Sequence, residues 1–388
     1  MDGGFPLSQW PAPPTAGDRA DEMAARILIC TRPDDLHGLI VAEALEWLGV
    51  EAAIWSSQDY PQSQHISIAL SNRAHDVVID ELGLQLDKRF DAVWLRRIHW
   101  DGSGLAIPTS EPCLARQHSA IFIDHIFDLL PQDARWINRK DNAIRAEYKP
   151  SQLKSAAAAG LLIPQTLVSN DPRTIRAFVE RLGGVAVAKP LRGECIDQLD
   201  GSVLALHAET IESSTLADDQ TLAAAPYIYQ KKIDVAFEVR VTVMGRSLFA
   251  ARIDLEADEP VDSHYKVMSV SEFALPQALQ EACLRLGEQM GLAFFCVDLL
   301  IAKNGKSYFL ELNQAGQFLW LERWLPSSRY LATFCSLLLG ADKRPNVTLK
   351  QVLGSPRFAQ RLQECALRKA AAPSTGLSSY GPETEARR

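Results

Sequence analysis

The sequence predicts a mixed α/β (α+β) chain that opens with a parallel α/β unit and becomes strand-rich in its second half. Three observations carry this. The first apolar stretches read strand, helix, strand; helices and buried strands then alternate to about residue 190; and four strand patterns follow before a hairpin signal at Asn304-Gly305. At 388 residues, and roughly 150 per domain, the chain has room for about two to three domains with sizeable cores.

Residues 1–24 place Pro11, Pro13 and Pro14 among small and acidic residues with no apolar period, which predicts a flexible arm. Asp2 precedes any basic residue and no apolar core segment follows, so the arm is not a secretory signal. ARILIC (25–30) reads as a buried strand. In DDLHGLIVAEALEWLG the residues Leu36, Leu39, Ile40, Ala44, Trp47 and Leu48 share a helical face, with Asp34 as N-cap and Gly49 as stop, and VEAAIWSS returns as a strand. No G-x-G-x-x-G accompanies this unit, so nothing supports a dinucleotide site. Strands at ISIAL, DVVID and DAVWLRR and a helix over 112–130 complete it. Residues 139–160 are helical in composition, Asn170 and Asp171 cap a helix over RTIRAFVERL, and VAVAKP is a buried strand ending in Lys189. Residues 192–222 are polar with little period. PYIYQKKI, FEVRVTVM, SLFAARID and HYKVMSV read as strands, PQALQEACLRLGEQMG as a helix, AFFCVDLLIA and SYFLELN as a hairpin, and 327–341 as a last core helix. The Ser-, Pro- and Gly-rich tail beyond Ala371 predicts disorder.

Forty basic against 48 acidic side chains leave a formal charge of −8, which argues against extended contact with nucleic acid. An anionic ligand must then be held by a few local cations and backbone donors. The seven cysteines are scattered without a C-x-x-C pair, which argues for a reducing compartment and against zinc or iron–sulfur chemistry. No apolar stretch reaches the ~20 residues of a membrane span. The expectation is a soluble, cytoplasmic protein without nucleic-acid or membrane partners.

The chemistry concentrates in three places. Asn304-Gly305 between two apolar runs predicts a two-residue type I′ turn. In that register Lys303 faces Lys306, Leu300 faces Phe309 and Asp298 faces Glu311, with Asn313 on the same face. Two opposed carboxylates and an amide suit magnesium; a shared-proton dyad and a pair of solvent-facing acids are the alternatives. FEVRVTVM alternates, placing Phe237, Val239, Val241 and Val243 on one face and Glu238, Arg240 and Thr242 on the other, where they meet a ligand or pair across strands. Arg252 is a candidate for the same polar face. Lys189, closing a buried strand, sits where ligands meet α/β sheets and suits a phosphate, or else snorkels to solvent.

The order AEYKPSQLKSAAAAGLLIPQTLVSND, VAVAKP, YIYQKKI, FEVRVTVMG, CVDLLIA and FLELNQAGQFLWLE resembles the ATP-grasp fold, and more closely the microviridin-type maturases that crosslink graspetides. ILICTRPDD and DAVWLRR resemble their pre-ATP-grasp domain. The resemblance implies the divisions 1–24 (arm), 25–138 (pre-ATP-grasp), 139–230 (central lobe), 231–342 (C-terminal lobe with the metal site) and 343–388 (helix and tail). It implies ATP and Mg2+ as cofactors. Lys149 and Lys189 would contact phosphates, Gln230, Lys231, Lys232 and Ile233 would form the adenine-reading hinge, and Glu238 would lie near the nucleotide. Arg240 would stabilise the transferred phosphate, and Asp298, Glu311 and Asn313 would hold magnesium. The implied activity is ADP-forming ligation that closes ester or amide rings in a precursor peptide of leader plus core, with residues 192–222 the candidate leader-binding segment and a homodimer a compatible assembly. An intermolecular amino-acid ligase, resembling ribosomal-protein glutamate ligase or glutathione synthetase, and a non-catalytic nucleotide- or peptide-binding protein are the competing readings. The sequence departs from the family pattern at Lys231, where an acid is common, at Asp262-Ser263-His264, where many relatives show Asp-Trp-Arg, and in LRGECIDQ, which carries a single glycine.

Overall fold

β1 (Arg26–Cys30) is buried because parallel strands flank it on both sides: β2 (Glu51–Trp55), reached through α1 (Leu36–Trp47), and β6 (Ala92–Leu95). Between them β3 (Ile66–Leu70), β4 (His75–Ile79) and β5 (Leu84–Gln85) make a small antiparallel sheet. After α2 (Pro112–Leu129), β7 (Arg135–Ile137) completes a four-stranded parallel sheet in the order β2-β1-β6-β7. The computed structural model describes residues 25–61, 63–72, 75–79, 82–86, 89–97, 112–191, 195–197, 203–205, 208–255, 267–341 and 345–371. The expected arm at 1–24, the tail beyond Ala371 and Asp262-Ser263-His264 lie outside the described residues.

α1 differs from its expected one-faced burial. His37 through Leu45 are all buried, because three C-terminal helices within 330–371 cover the side that the sequence leaves to solvent; Trp47 is exposed. Its N-cap is Asp35 rather than Asp34. The Asp35 carboxylate makes no capping bond; it accepts from Thr31 and Arg96 instead.

α3 (Lys140–Glu147) and α4 (Lys149–Ala158) lead into the second of the three main sheets, which is antiparallel. Its strands are β8 (Thr166–Ser169), then after α5 (Pro172–Arg181) β9 (Val185–Lys189), a short pair β10 (Cys195–Asp197) and β11 (Val203–Ala205), β12 (Glu209–Glu212), and after α6 (Asp219–Ala224) β13 (Tyr227–Gln230). The order is β12-β9-β13-β8, with β10 and β11 pairing separately. Ile175, Phe178 and Val179 of α5 cover one face, against Ala186, Ala188 and Tyr229. Asp171 caps α5 as expected, accepting from Thr174 N at 3.1 Å.

The third sheet is antiparallel, in the order β16-β15-β14-β17-β18, from β14 (Val235–Met244), β15 (Ser247–Leu255), β16 (Val267–Glu272) and, after α7 (Gln277–Met290), β17 (Phe294–Ala302) and β18 (Ser307–Asn313). Val239, Val241, Val243, Val297 and Leu299 pack beneath α4 and α7. The opposite face is covered at one end only, by α8 (Leu319–Trp324) and α9 (Tyr330–Leu339). There Phe294, Phe318 and Phe334 stack with centroids 4.9–5.5 Å apart. α10 (Leu349–Leu353) and α11 (Pro356–Ala371) then return to pack on α1.

The β17–β18 turn is not type I′. Gly305 has φ +78°, but Asn304 is not among the non-glycine residues with positive φ. The loop has three residues: Gly305 N donates to Ala302 O at 2.8 Å and Ala302 N to Lys306 O at 2.9 Å. Lys303 therefore does not face Lys306, and Leu300 pairs with Tyr308 rather than Phe309. A bulge at Leu310 then shifts the register by one residue, and Asp298 pairs with Glu311 as expected.

Candidate functional site

The site lies on the third sheet where the cover of α8 and α9 stops. The β14–β17 register sets Arg240 opposite Asp298, and Arg240 Nη1 donates to both carboxylate oxygens, at 3.0 and 3.1 Å. Glu311 faces Asp298 from β18, and Lys149 Nζ, from the first turn of α4, stands 4.0 Å from Glu311 Oε2. Glu238 lies two residues from Arg240 on the same face, and Asn313 pairs with Cys296 two residues from Asp298. Six of the expected residues thus converge: Lys149, Glu238, Arg240, Asp298, Glu311 and Asn313. Gln152 fixes the approach of α4 by mimicking a strand edge. Its side chain donates to Leu312 O at 2.8 Å and accepts from Leu312 N at 3.0 Å.

The electrostatics are strained by design of the register. Burial pushes the Asp298 carboxyl above its usual range, Arg240 opposes this, and Glu311 adds to it. Burial works against the Arg240 charge, but Asp298, Cys296 and Glu311 together hold its pKa above the ordinary value. Arg240 Nε is buried and finds no acceptor among the described residues. Asp298 is matched by Arg240, but Glu311 meets Lys149 only at 4.0 Å and is 39% exposed, so its oxygens stay open to a further cation.

The other expected residues sit on the second sheet. Lys189 is 6% exposed and pairs with Ile228; it shares with Gln230 the face turned away from α5. Gln230 Nε2 donates to Thr166 Oγ1 at 2.9 Å. Lys231 and Lys232 are exposed and Ile233 is half-buried in an extended connection to β14. Lys231 N donates to Gln165 O at 2.9 Å, and the far end of the connection is tied to the hairpin tip by Lys303 N donating to Asp234 O at 2.9 Å. Arg252 does not join the polar face. It pairs with Val239, so the period of two turns it to the opposite side, where its guanidinium lies 4.0 Å from the Phe237 ring centroid.

Sequence reasoning missed a group from the first unit that reaches this sheet. Arg96 is 1% exposed; its Nε donates to Asp35 Oδ2 at 3.0 Å and its Nη1 to the Ala315 carbonyl. His37 Nε2 accepts from Phe318 N at 3.2 Å and Leu319 N at 3.3 Å. The available signal was the Arg96-Arg97 pair closing a buried strand, where a charge requires a partner.

Among the described residues no three His, Cys, Asp or Glu side chains gather as a metal cluster. The candidate set is two carboxylates and the Asn313 amide, whose Oδ1 accepts from Ala315 N at 3.0 Å. Hard oxygen donors with no imidazole beside them among the described residues match magnesium rather than zinc.

Residues 26–139 match the family described as the MvdD pre-ATP grasp domain. No curated protein matches the chain in sequence. Among solved structures, a Chryseobacterium gregarium RiPP-associated ATP-grasp ligase in complex with ADP and a leader and core peptide is similar at TM-score 0.72 and 26% identity, covering 83% of this chain and 99% of that one. This chain has the ATP-grasp fold behind an MvdD-type pre-ATP-grasp domain. Macrocyclase MdnC from Microcystis aeruginosa MRC, bound with precursor peptide MdnA, matches this ATP-grasp chain at TM-score 0.71 and 22% identity over 81% of it and 100% of MdnC. ATP-grasp ligase PsnB, with a phosphomimetic variant of its minimal precursor, Mg and ADP, matches at 0.63 and 23% over 82% and 99%. No described helix of the ATP-grasp chain is long and apolar enough to cross a membrane.

Proposed function

We propose that this chain is an ADP-forming ATP-grasp ligase that activates a side-chain carboxylate of a precursor peptide and closes an ester or amide ring within it. The carrying observation is the open sheet face on which Arg240, Asp298 and Glu311 converge with Lys149 beside them. The likeness to a ligase solved with ADP and a leader and core peptide supports the same reading. The carboxylate attacks the γ-phosphate of ATP, giving an acyl phosphate and ADP; a hydroxyl or amine of the peptide then displaces phosphate.

Lys189, at the end of β9, and Lys149, in the first turn of α4, neutralise the phosphates, and the backbone of Gln230, Lys231, Lys232 and Ile233 reads the adenine edge, with Glu238 close to the nucleotide. Arg240 is held over Asp298 before substrate arrives. It therefore meets the charge that spreads over the transferred phosphoryl group without reorganising, the economy expected of electrostatic catalysis. Asp298, Glu311 and Asn313 would hold magnesium, which supplies positive charge to the phosphates. Residues 192–222 serve as the leader-recognising segment; β12, within it, is an edge strand of the second sheet.

Incubation with ATP, Mg2+ and a candidate precursor, followed by mass spectrometry, tests this. Loss of one water mass per ring with ADP release is expected. ADP release with an added amino-acid mass overturns ring closure in favour of intermolecular ligation.

A further inference from the structure

Side chains of the first unit hold four backbone groups of the segment that follows β18. Asn138 Nδ2 donates to Gln314 O at 3.2 Å, Arg96 Nη1 donates to Ala315 O, and His37 Nε2 accepts from Phe318 N and Leu319 N. Between these anchors Gly316 lies so close to β17 that an added Cβ would come within 2.4 Å of Cys296 Sγ. Cys296 pairs with Asn313 and precedes Asp298 by two residues on the same face. Asn313 Oδ1 in turn accepts from Ala315 N, the residue whose carbonyl Arg96 holds. A continuous path of hydrogen bonds and tight packing therefore joins the first unit to two of the three proposed metal ligands.

The cost of this arrangement argues that it does more than hold two domains together. Arg96 and Asp35 are both buried, with side-chain exposures of 0% and 1%. A buried ion pair is often no more stable than a well-packed apolar pair of similar volume, and its geometric specificity is what apolar packing lacks. The pair is fully dressed: Thr31 Oγ1 donates to Asp35 Oδ2 at 2.6 Å, and Arg96 Nη2 lies 3.4 Å from Asp35 Oδ1. Accepting at Nε2 requires His37 to be neutral there. Burial, with Arg96 beside it, pushes its pKa down to about 3, against the pull of Asp35. Arg97 and Arg240 push the same way, which sets the first unit and the proposed phosphate cation in one electrostatic neighbourhood.

We infer that Arg96 and His37 are positioning residues for the metal site: they fix the backbone of residues 315–319, and through it the Asn313 end of β18. The inference rests on the reading of Asp298, Glu311 and Asn313 as metal ligands, and its test separates the two.

The probe is Mn2+ with ADP, followed by electron paramagnetic resonance, alongside ADP affinity in EDTA. Wild type is expected to bind Mn2+ with ADP, and Glu311→Gln to lose it. Arg96→Lys keeps the charge but cannot span Asp35 and the Ala315 carbonyl together; His37→Leu removes the acceptor. Each should weaken Mn2+ binding by about 10–100-fold, the usual effect of losing a group that orients a metal ligand, with metal-free ADP affinity unchanged. His37→Gln offers an amide oxygen to the same N–H groups and should recover most of the loss. If Arg96→Lys does not unfold cooperatively, the His37 pair decides. Normal Mn2+ affinity in Arg96→Lys and His37→Leu, beside its loss in Glu311→Gln, overturns the positioning role alone. Parallel loss of Mn2+ and metal-free ADP binding also overturns it, because the damage is then general. No Mn2+ binding by wild type, or full binding by Glu311→Gln, overturns the metal site and the inference with it.

Discussion

Arg240 and Asp298 form a partly shielded ion pair with a second acid, Glu311, directly across from the carboxylate, and this opposition of two carboxylates bears on both function and stability. Without metal, like charges opposed on a sheet are destabilising by roughly 0.2–1 kcal/mol, so Glu311→Gln should raise metal-free stability by about that amount while ADP formation is abolished. The pH dependence follows from Asp298. Burial, opposed by Arg240 and reinforced by Glu311, raises its folded pKa, so the folded chain keeps that proton to higher pH than the unfolded chain. The resulting stability is complete below the unfolded carboxylate range and is lost as pH rises to the folded value. Glu311→Gln removes one cause of the shift, so its advantage over wild type should grow from acid to neutral pH. Thermal unfolding with and without Mg2+ checks both points: Mg2+ should stabilise wild type and not the variant, and equal stabilisation of the two would remove Glu311 from the metal set. The Asp298–Glu311 opposition was expected from the short loop that joins the two strands, although the loop alone does not produce it. The Arg240–Asp298 pair was not, since 58 residues separate them and no local pattern sets the pairing of β14 with β17.

At the scale of elements, the hairpin reached the expected carboxylate pair by a different route. The three-residue loop alone would have set Asp298 against Leu310; the bulge at Leu310 adds the residue that brings Glu311 into place. Two one-residue departures cancelled, which is why the face was right and the turn was wrong. Alternation of apolar and polar residues reports the face of a strand. It says nothing about where an extra residue is absorbed, and here Phe309 N donates to Leu162 O at the outer edge beside the bulge. The two turn types also predict different mutational behaviour. A type I′ turn needs positive φ at both central residues, whereas here only Gly305 has it. Gly305→Ala forces a Cβ into the left-handed region at about 1–2 kcal/mol, although nothing within 4 Å would clash with it. Asn304→Ala should cost less, since it removes one exposed hydrogen bond to Lys306 N. Chemical denaturation of the two variants checks this, and equal losses would favour the two-residue turn.

At the scale of the molecule, the first unit was legible as parallel α/β because its strands are continuous apolar runs. Its connections were not, because the groups that make them are isolated polar residues on elements far apart in sequence. His37 and Glu43 read as ordinary positions of a surface helix; both are buried because α9, α10 and α11 close over α1. Glu43 is 3% exposed and accepts from Ser355 Oγ at 2.7 Å, with Arg361 Nε 3.5 Å away. Arg361 Nη2 also bonds Glu46 at 2.6 Å, and Arg357 Nη2 lies 2.5 Å from Glu46. α11 is thus pinned to α1 by charge as well as by the apolar cluster that Phe358 and Cys365 join. Removing Arg361 leaves Glu43 buried with only Ser355 and the more distant Arg357 to serve it. Breaking a fully buried pair costs about 3–5 kcal/mol. Arg361 keeps a fifth of its side chain exposed, so Arg361→Ala should lose about 2 kcal/mol after discounting for solvent screening. Arg26→Ala, which breaks the exposed pair with Glu51, should lose well under about 1 kcal/mol. The functional consequence separates the two ends of the first unit. Arg361 does not reach the 314–319 segment, so below its melting temperature Arg361→Ala should bind Mn2+ with ADP as wild type does, while Arg96→Lys should not. Denaturant midpoints and Mn2+ titrations on the same preparations check this. Matched metal affinities in the two variants would show that loosening the first unit anywhere has the same effect, and that no specific path runs through Arg96.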